Sequence, residues 1–144
     1  MEDQEVIVEH LHLISEREPL IAERIYQRLF QHHPELRKLF GAHATAVQQD
    51  MLNETLIAVV DSLEGVAWLE SNLQLLGAKH VEFEVGDEMY DSWTESVLEV
   101  LSEVSGSDWS PHLERLWRER MEYLCNHMRQ GGAQQVSQDA RQAS

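Results

Sequence analysis

Apolar positions recur along this chain at intervals of three and four, the spacing of one helix face, and no stretch alternates as a half-buried strand would. Val6, Ile7, His10, Leu11 and Ile14 form the first stripe, which predicts an amphipathic helix over about Glu5 to Ser15 with His10 and His12 at its edge or surface. Pro19 fits only a helix's first turn, so a second helix is expected from about Pro19 to His32, burying Ile21, Ile25 and Leu29 with Tyr26 beside them. His33-Pro34 ends it, because the residue before proline is pushed out of the helical region, and Pro34 opens a short segment to Phe40.

A turn follows over Gly41 to Ala46. A long helix is then expected over about Val47 to Leu63, its wide face carrying Gln48, Met51, Leu52, Thr55, Leu56, Val59 and Val60. Glu64-Gly65 terminates it. The next helix, about Val66 to Lys79 or His80, carries Trp68, Leu69, Leu73 and Leu76 as an apolar face closed by His80. Asp87 is the expected cap of a helix to about Val104 that turns Tyr90, Trp93, Val97, Leu98 and Leu101 inward. Ser110-Pro111 opens the last helix, with Leu113, Leu116, Trp117, Met121, Leu124 and Met128 inward until Gly131-Gly132. Residues 131–144 read as a polar, disordered tail behind a folded unit over residues 1–130. Six to eight helices of unequal length give an all-α fold with ridges-into-grooves crossings rather than a symmetric four-helix bundle.

Composition narrows the function. The 144 residues suit one domain, and 26 acidic against 11 basic residues give a net charge of −15. That balance repels nucleic acid and anionic membrane, so neither is an expected partner. No apolar run approaches the ~20 residues that span a bilayer. The acidic N-terminus lacks the order of a signal peptide, and the single cysteine, Cys125, excludes an internal disulfide and fits a reducing cytoplasm. The acidic connector Glu82, Glu84, Asp87 and Glu88 reads as solvated before it reads as a metal site, and Met121 and Met128 read as core fillers.

His80 is the residue with the most chemistry. A neutral imidazole on an apolar helix face is a good metal ligand, and equally a hydrogen-bonded core residue. Tyr26 and Gln48 are open in the same way, as donors into a pocket or as a half-buried phenol and an exposed amide. Phe40, Leu52 and Leu76 are apolar core positions on either reading.

Ordered pieces across residues 5–130 decide between these: Ile25-Tyr-Gln-Arg-Leu-Phe30, His33-Pro-Glu-Leu-Arg-Lys-Leu-Phe40, Gln48 with Leu52, Leu76-Gly-Ala-Lys-His80, and Tyr90 ten residues on. In this order and spacing the chain resembles a bacterial single-domain globin, similar to the haem domain of flavohaemoglobins. The resemblance implies a globin fold, a three-over-three helical sandwich, holding haem b (iron protoporphyrin IX). It makes His80 the proximal iron ligand, Phe40 the wedge against the haem, Tyr26 and Gln48 the distal hydrogen-bonding pair, and Leu52 the apolar residue above the iron. Leu76 packs under the porphyrin, Val85 and Tyr90 contact the cofactor region, and Lys79, with His43 as a second candidate, reaches a propionate. Iron held by one histidine keeps a face open for dioxygen, nitric oxide or carbon monoxide. Two donors aimed at bound dioxygen imply slow release.

The implied function is reversible binding of dioxygen and nitric oxide, for carriage, storage or scavenging. The alternatives are a nitric oxide dioxygenase served by a separate reductase, and a gas sensor or haem-free interaction module. Two departures matter. Flavohaemoglobins hold the proximal histidine in a His-Tyr-Glu grouping. Tyr90 matches its tyrosine, but the register of the last helix puts Gly131 or Gly132 where the carboxylate belongs, which weakens the expectation of strong oxygen activation. The loop between Phe40 and Gln48 is about two residues short, so Gln49 is a fallback for the distal amide. No Gly-rich dinucleotide motif is present, so redox turnover is expected to draw on an external reductase.

Overall fold

The computed structural model describes residues 2–39 and 44–143, so Phe40 and His43 lie outside the described residues. Within them the chain forms six α-helices and no strand: α1 (Asp3–Arg17), α2 (Ile21–His32), α3 (Ala44–Glu64), α4 (Leu69–Val81), α5 (Asp87–Ser105) and α6 (Pro111–Ala143). Short 3-10 helices cover Pro34–Leu39 and Gly106–Asp108. The all-α expectation holds.

Local chemistry sets most of the boundaries. Gly65 ends α3 at φ +70°, a conformation that costs a side chain about 1 kcal/mol or more. The Ser110 hydroxyl accepts the Leu113 N–H at 3.1 Å, capping α6 at Pro111. Gly86 takes the cap position expected of Asp87, whose carboxylate joins Glu88 in the first turn of α5 and complements the helix dipole. Helix α4 starts at Leu69 rather than Val66, after a turn closed by Leu69 N–H to the Val66 carbonyl at 3.2 Å.

The core gathers Ile7, Ile14, Ile25, Leu52, Val59, Val97, Leu101, Trp117 and Met121 from five of the helices. His10, expected at the edge or surface, is buried there at 5 % exposure, while His12 is exposed. Burial is tolerated because every polar atom of the ring is used. The Trp117 indole N–H donates to His10 Nδ1 at 2.8 Å. An indole only donates, so the imidazole proton sits on Nε2 and goes to Ser105 Oγ at 2.7 Å. Arg17 adds a bond to the Ser105 carbonyl and an ion pair to Asp108, tying the end of α1 to the end of α5.

Two helix pairs dominate the packing, α2 on α5 and α4 on α6. Arg28 bridges Glu99 at 2.9 Å and Glu103 at 2.6 Å across the first, a solvated network that holds register more than it stabilises. The second pair has no room for side chains at its crossing. A Cβ on Gly77 would overlap the Met128 backbone, and one on Gly131 would overlap the Gln74 backbone. Here the structure differs from the sequence reading. Gly131-Gly132 does not stop α6, which continues to Ala143. The glycines are buried because α4 lies directly on them.

Candidate functional site

Close approach at one face of α4 leaves an opening at the other. Helix α4 touches α6 closely and α3 little, and between α3 and α4 lies a cavity of about 730 Å³, floored by α5 and α6 and flanked by α2. Its size is that of a site for an organic cofactor. Leu73, Leu76, Trp93, Met121 and Leu124 make its walls apolar. Its lip is apolar too. Val47, Ile57, Trp68, Leu75 and Phe83 are five of the seven large hydrophobic side chains exposed among the described residues, and all five line this cavity. Trp68 thus belongs to the lip at 56 % exposure rather than to the buried face of α4. Exposed apolar surface gathered at one opening marks a binding site for an apolar body.

His80 lines this cavity, half-buried at the last turn of α4. Its Nδ1 lies 2.8 Å from the Leu76 carbonyl. A carbonyl only accepts, so Nδ1 carries a proton, and in the neutral ring the lone pair is then on Nε2, the tautomer a metal ligand needs. The backbone of α4 therefore orients the ring. Leu76, Lys79 and Val85 line the same cavity. The chain turns out of α4 through Val85 N–H to the His80 carbonyl at 3.3 Å, with Glu84 at φ +60°.

Tyr26 faces the cavity from α2, 1 % exposed, its ring 5.0 Å from that of Trp93. Burial drives its phenol well above the ordinary value and Glu54 adds to the shift, so Tyr26 is a hydroxyl donor. Tyr90 closes the α5 side. Burial and then Cys125 push its phenol up to about 12, opposed by Arg129, whose guanidinium stands 5.4 Å from the ring centre. Arg129 is anchored by Asp91 at 2.7 Å and by the Asp87 carbonyl at 3.1 Å. Cys125 also faces the cavity, and burial pushes its thiol up, so it remains an unreactive thiol. Gly131 and Gly132 pack against Gln74, Gly77 and Val81 of α4 and bring no side chain to this region.

Two of the residues expected at the site are turned elsewhere. Leu52 is fully buried, but it lines a separate void of about 50 Å³ with Ile25, Val97 and Leu101, between α1, α2, α3 and α5. Gln48 is half-buried and is absent from the cavity wall, and Gln49 is exposed and bonds Asn53 at 3.1 Å. The cavity face of α3 is instead Val47, Met51, Thr55 and Ala58. The sequence carried this face within one wide apolar stripe, and periodicity alone does not say which edge of a stripe meets a cavity and which meets the core. A stronger signal lay in the methionines. Met51, Met89, Met121 and Met128, every methionine after the first residue, all line the cavity.

With this geometry in place, comparison with known proteins is specific. Residues 23–128 match the globin family. The chain is similar to a flavohemoprotein of Vibrio cholerae serotype O1, 27% identical over 114 residues that cover 78% of this chain and 29% of that protein. It is also similar to a flavohemoprotein of Halalkalibacterium halodurans, 23% identical over 127 residues that cover 87% of this chain and 31% of that protein. The chain spans less than a third of the length of these relatives. Six helices, a cavity walled by α3 and α4 with a fixed histidine in it, and a family match across most of the chain agree: the protein belongs to the globin family.

Proposed function

We propose that the cavity between α3 and α4 holds haem b through His80, and that the protein reversibly binds dioxygen, and nitric oxide with it, for carriage, storage or scavenging. One observation carries this reading: the Leu76 carbonyl takes the Nδ1–H of His80, so the neutral ring has its lone pair on Nε2, in a side chain that lines an apolar cavity of cofactor size. The flavohemoprotein relatives support it. Haem held there would supply an iron able to take a diatomic ligand.

The chain's own residues do the rest. Leu73, Leu76 and Trp93 exclude water from the cavity, which strengthens any hydrogen bond made inside it. Tyr26 brings a protonated phenol to the wall of that low-dielectric space, where donation to a bound ligand would favour one that polarises, such as dioxygen, over carbon monoxide. Lys79, the basic residue besides His80 among the described residues of the lining, stands at the exposed edge where a propionate would meet solvent. His80 donates to a backbone carbonyl rather than a carboxylate, a weaker push of electrons toward iron, which favours holding a gas over activating it.

The test is absorbance of the purified chain after haem addition. A Soret band is expected, with one haem per chain, and His80→Ala should lose it or weaken haem retention by at least about tenfold. A chain that takes up no haem, or a His80→Ala variant with the parent's spectrum, would overturn the reading.

A further inference from the structure

Helix α3 forms the cavity wall that faces α4, and few of its lining atoms can give an electron pair to a metal. Val47, Ile57 and Ala58 are hydrocarbon, and Thr55 turns its hydroxyl back to the Met51 carbonyl at 2.9 Å. Glu54 is exposed, and Asp61 lies two turns along toward the end of the helix. Met51 remains. It is half-buried, lines the cavity, and packs against the cluster of Tyr26, Leu29, Phe30 and Leu36. The other internal methionines lie on α5 and α6, and α6 backs α4 so closely that the Met128 carbonyl lies against Gly77. Met51 is thus the thioether that α3 brings to the cavity that His80 lines from α4.

We propose that Met51 is a displaceable second axial ligand, so that the resting protein holds iron between the His80 imidazole and the Met51 thioether. The inference rests on haem being held at His80. A thioether is a neutral, soft donor that prefers ferrous to ferric iron, so this ligation raises the reduction potential and resists oxidation while no gas is bound. Three rotatable bonds let the side chain swing away without moving α3. An incoming gas must displace it. A thioether bound about nine-tenths of the time lowers apparent gas affinity about tenfold, the cost of having the binding-competent state only partly populated.

The experiment uses the full chain loaded with haem. The parent should show a six-coordinate, low-spin ferrous spectrum and, when ferric, the weak far-red charge-transfer band of thioether ligation. Met51→Leu, a near-isosteric change, should give five-coordinate ferrous haem and bind carbon monoxide about tenfold faster. Asn53→Ala, an exposed position on the same helix outside the cavity lining, should leave the spectrum unchanged. Methyl spectra of protein labelled at methionine give a readout that needs no variant: one methyl should shift far upfield in the ferrous state and return when carbon monoxide is added. A Soret band with five-coordinate ferrous haem in the parent, or a six-coordinate spectrum that survives Met51→Leu, would overturn this role of Met51 and leave haem binding standing. No Soret band at all would remove both.

Discussion

Replacing Gly131 with alanine should destabilise this protein, against the usual effect of that change inside a helix. Glycine in a helix interior costs about 1 kcal/mol relative to alanine, so Gly131→Ala and Gly77→Ala each start with a stabilising contribution of that size. The crossing of α4 and α6 reverses the sign. At both positions the new Cβ would come within 3.0 Å of backbone atoms, of Gln74 for Gly131 and of Met128 for Gly77, and backbone has no rotamer with which to move aside. The helices would have to part by roughly 1–2 Å, leaving voids in a closely packed interface. Overpacking costs about 1–3 kcal/mol when side chains can adjust, and more when they cannot. The net expectation is a loss of about 2 kcal/mol or more for either single change. Since one displacement accommodates both, the double variant should lose clearly less than the sum. Gly132→Ala is the control. Its Cβ would meet a Val81 methyl at 3.3 Å, which can yield, so stability should stay within about 1 kcal/mol of the parent. Urea unfolding followed by far-ultraviolet circular dichroism measures all four. A Gly131→Ala protein as stable as the parent would show that α4 and α6 do not cross in contact at this point.

Two further outcomes follow from single residues. His10 is held at about 4 by burial, with Arg17 adding to the depression, against 6.5 when unfolded. Its neutral form therefore contributes stability fully above pH 6.5, and this is lost as pH falls toward 4, by at most about 3 kcal/mol. His10→Phe should be less stable at pH 7, where Trp117 and Ser105 lose their partner, yet decline less between pH 6.5 and 4 in urea titrations. An unchanged acid slope would refute the assignment. Glu84 sits at φ +60° after α4, so Glu84→Gly should raise stability by about 1 kcal/mol in thermal unfolding, and a fall would contradict the left-handed turn there.

The helices were largely legible because their signals are local. Proline at positions 19, 34 and 111 and glycine at 65 act through their own backbones, and all four fall at or beside element boundaries. What local signals miss is a partner distant in sequence. Gly131-Gly132 looks like a terminator, and it becomes a contact surface only once Gly77, more than fifty residues earlier, is laid against it. His10 looks like an edge residue because a polar ring on an apolar stripe has no business inside unless it is bonded. The partners that admit it, Ser105 and Trp117, lie about a hundred residues away.

The site divides along the same line, and the division bears on function. His80 was legible because it closes the apolar face of its own helix and its hydrogen bond goes four residues back, to Leu76, so one stretch of chain supplies both the imidazole and the group that orients it. Tyr26 and Tyr90 were legible by their spacing and do line the cavity. The α3 wall was not, because its stripe is wide enough to serve two surfaces at once. Leu52 and Leu56 take the helix core, and Met51 and Thr55 take the cavity. A rotation of α3 by one residue, about 100°, would exchange a thioether for a leucine on that wall. Whatever fixes the rotation of α3 therefore also fixes what an iron at His80 would face. The observed packing supplies that constraint through Leu52, whose full burial against Ile25, Val97 and Leu101 would be lost if α3 turned to place it over the cavity. Burial of one leucine side chain is worth about 1.5–3 kcal/mol. The helix core thus selects the chemistry of the cavity.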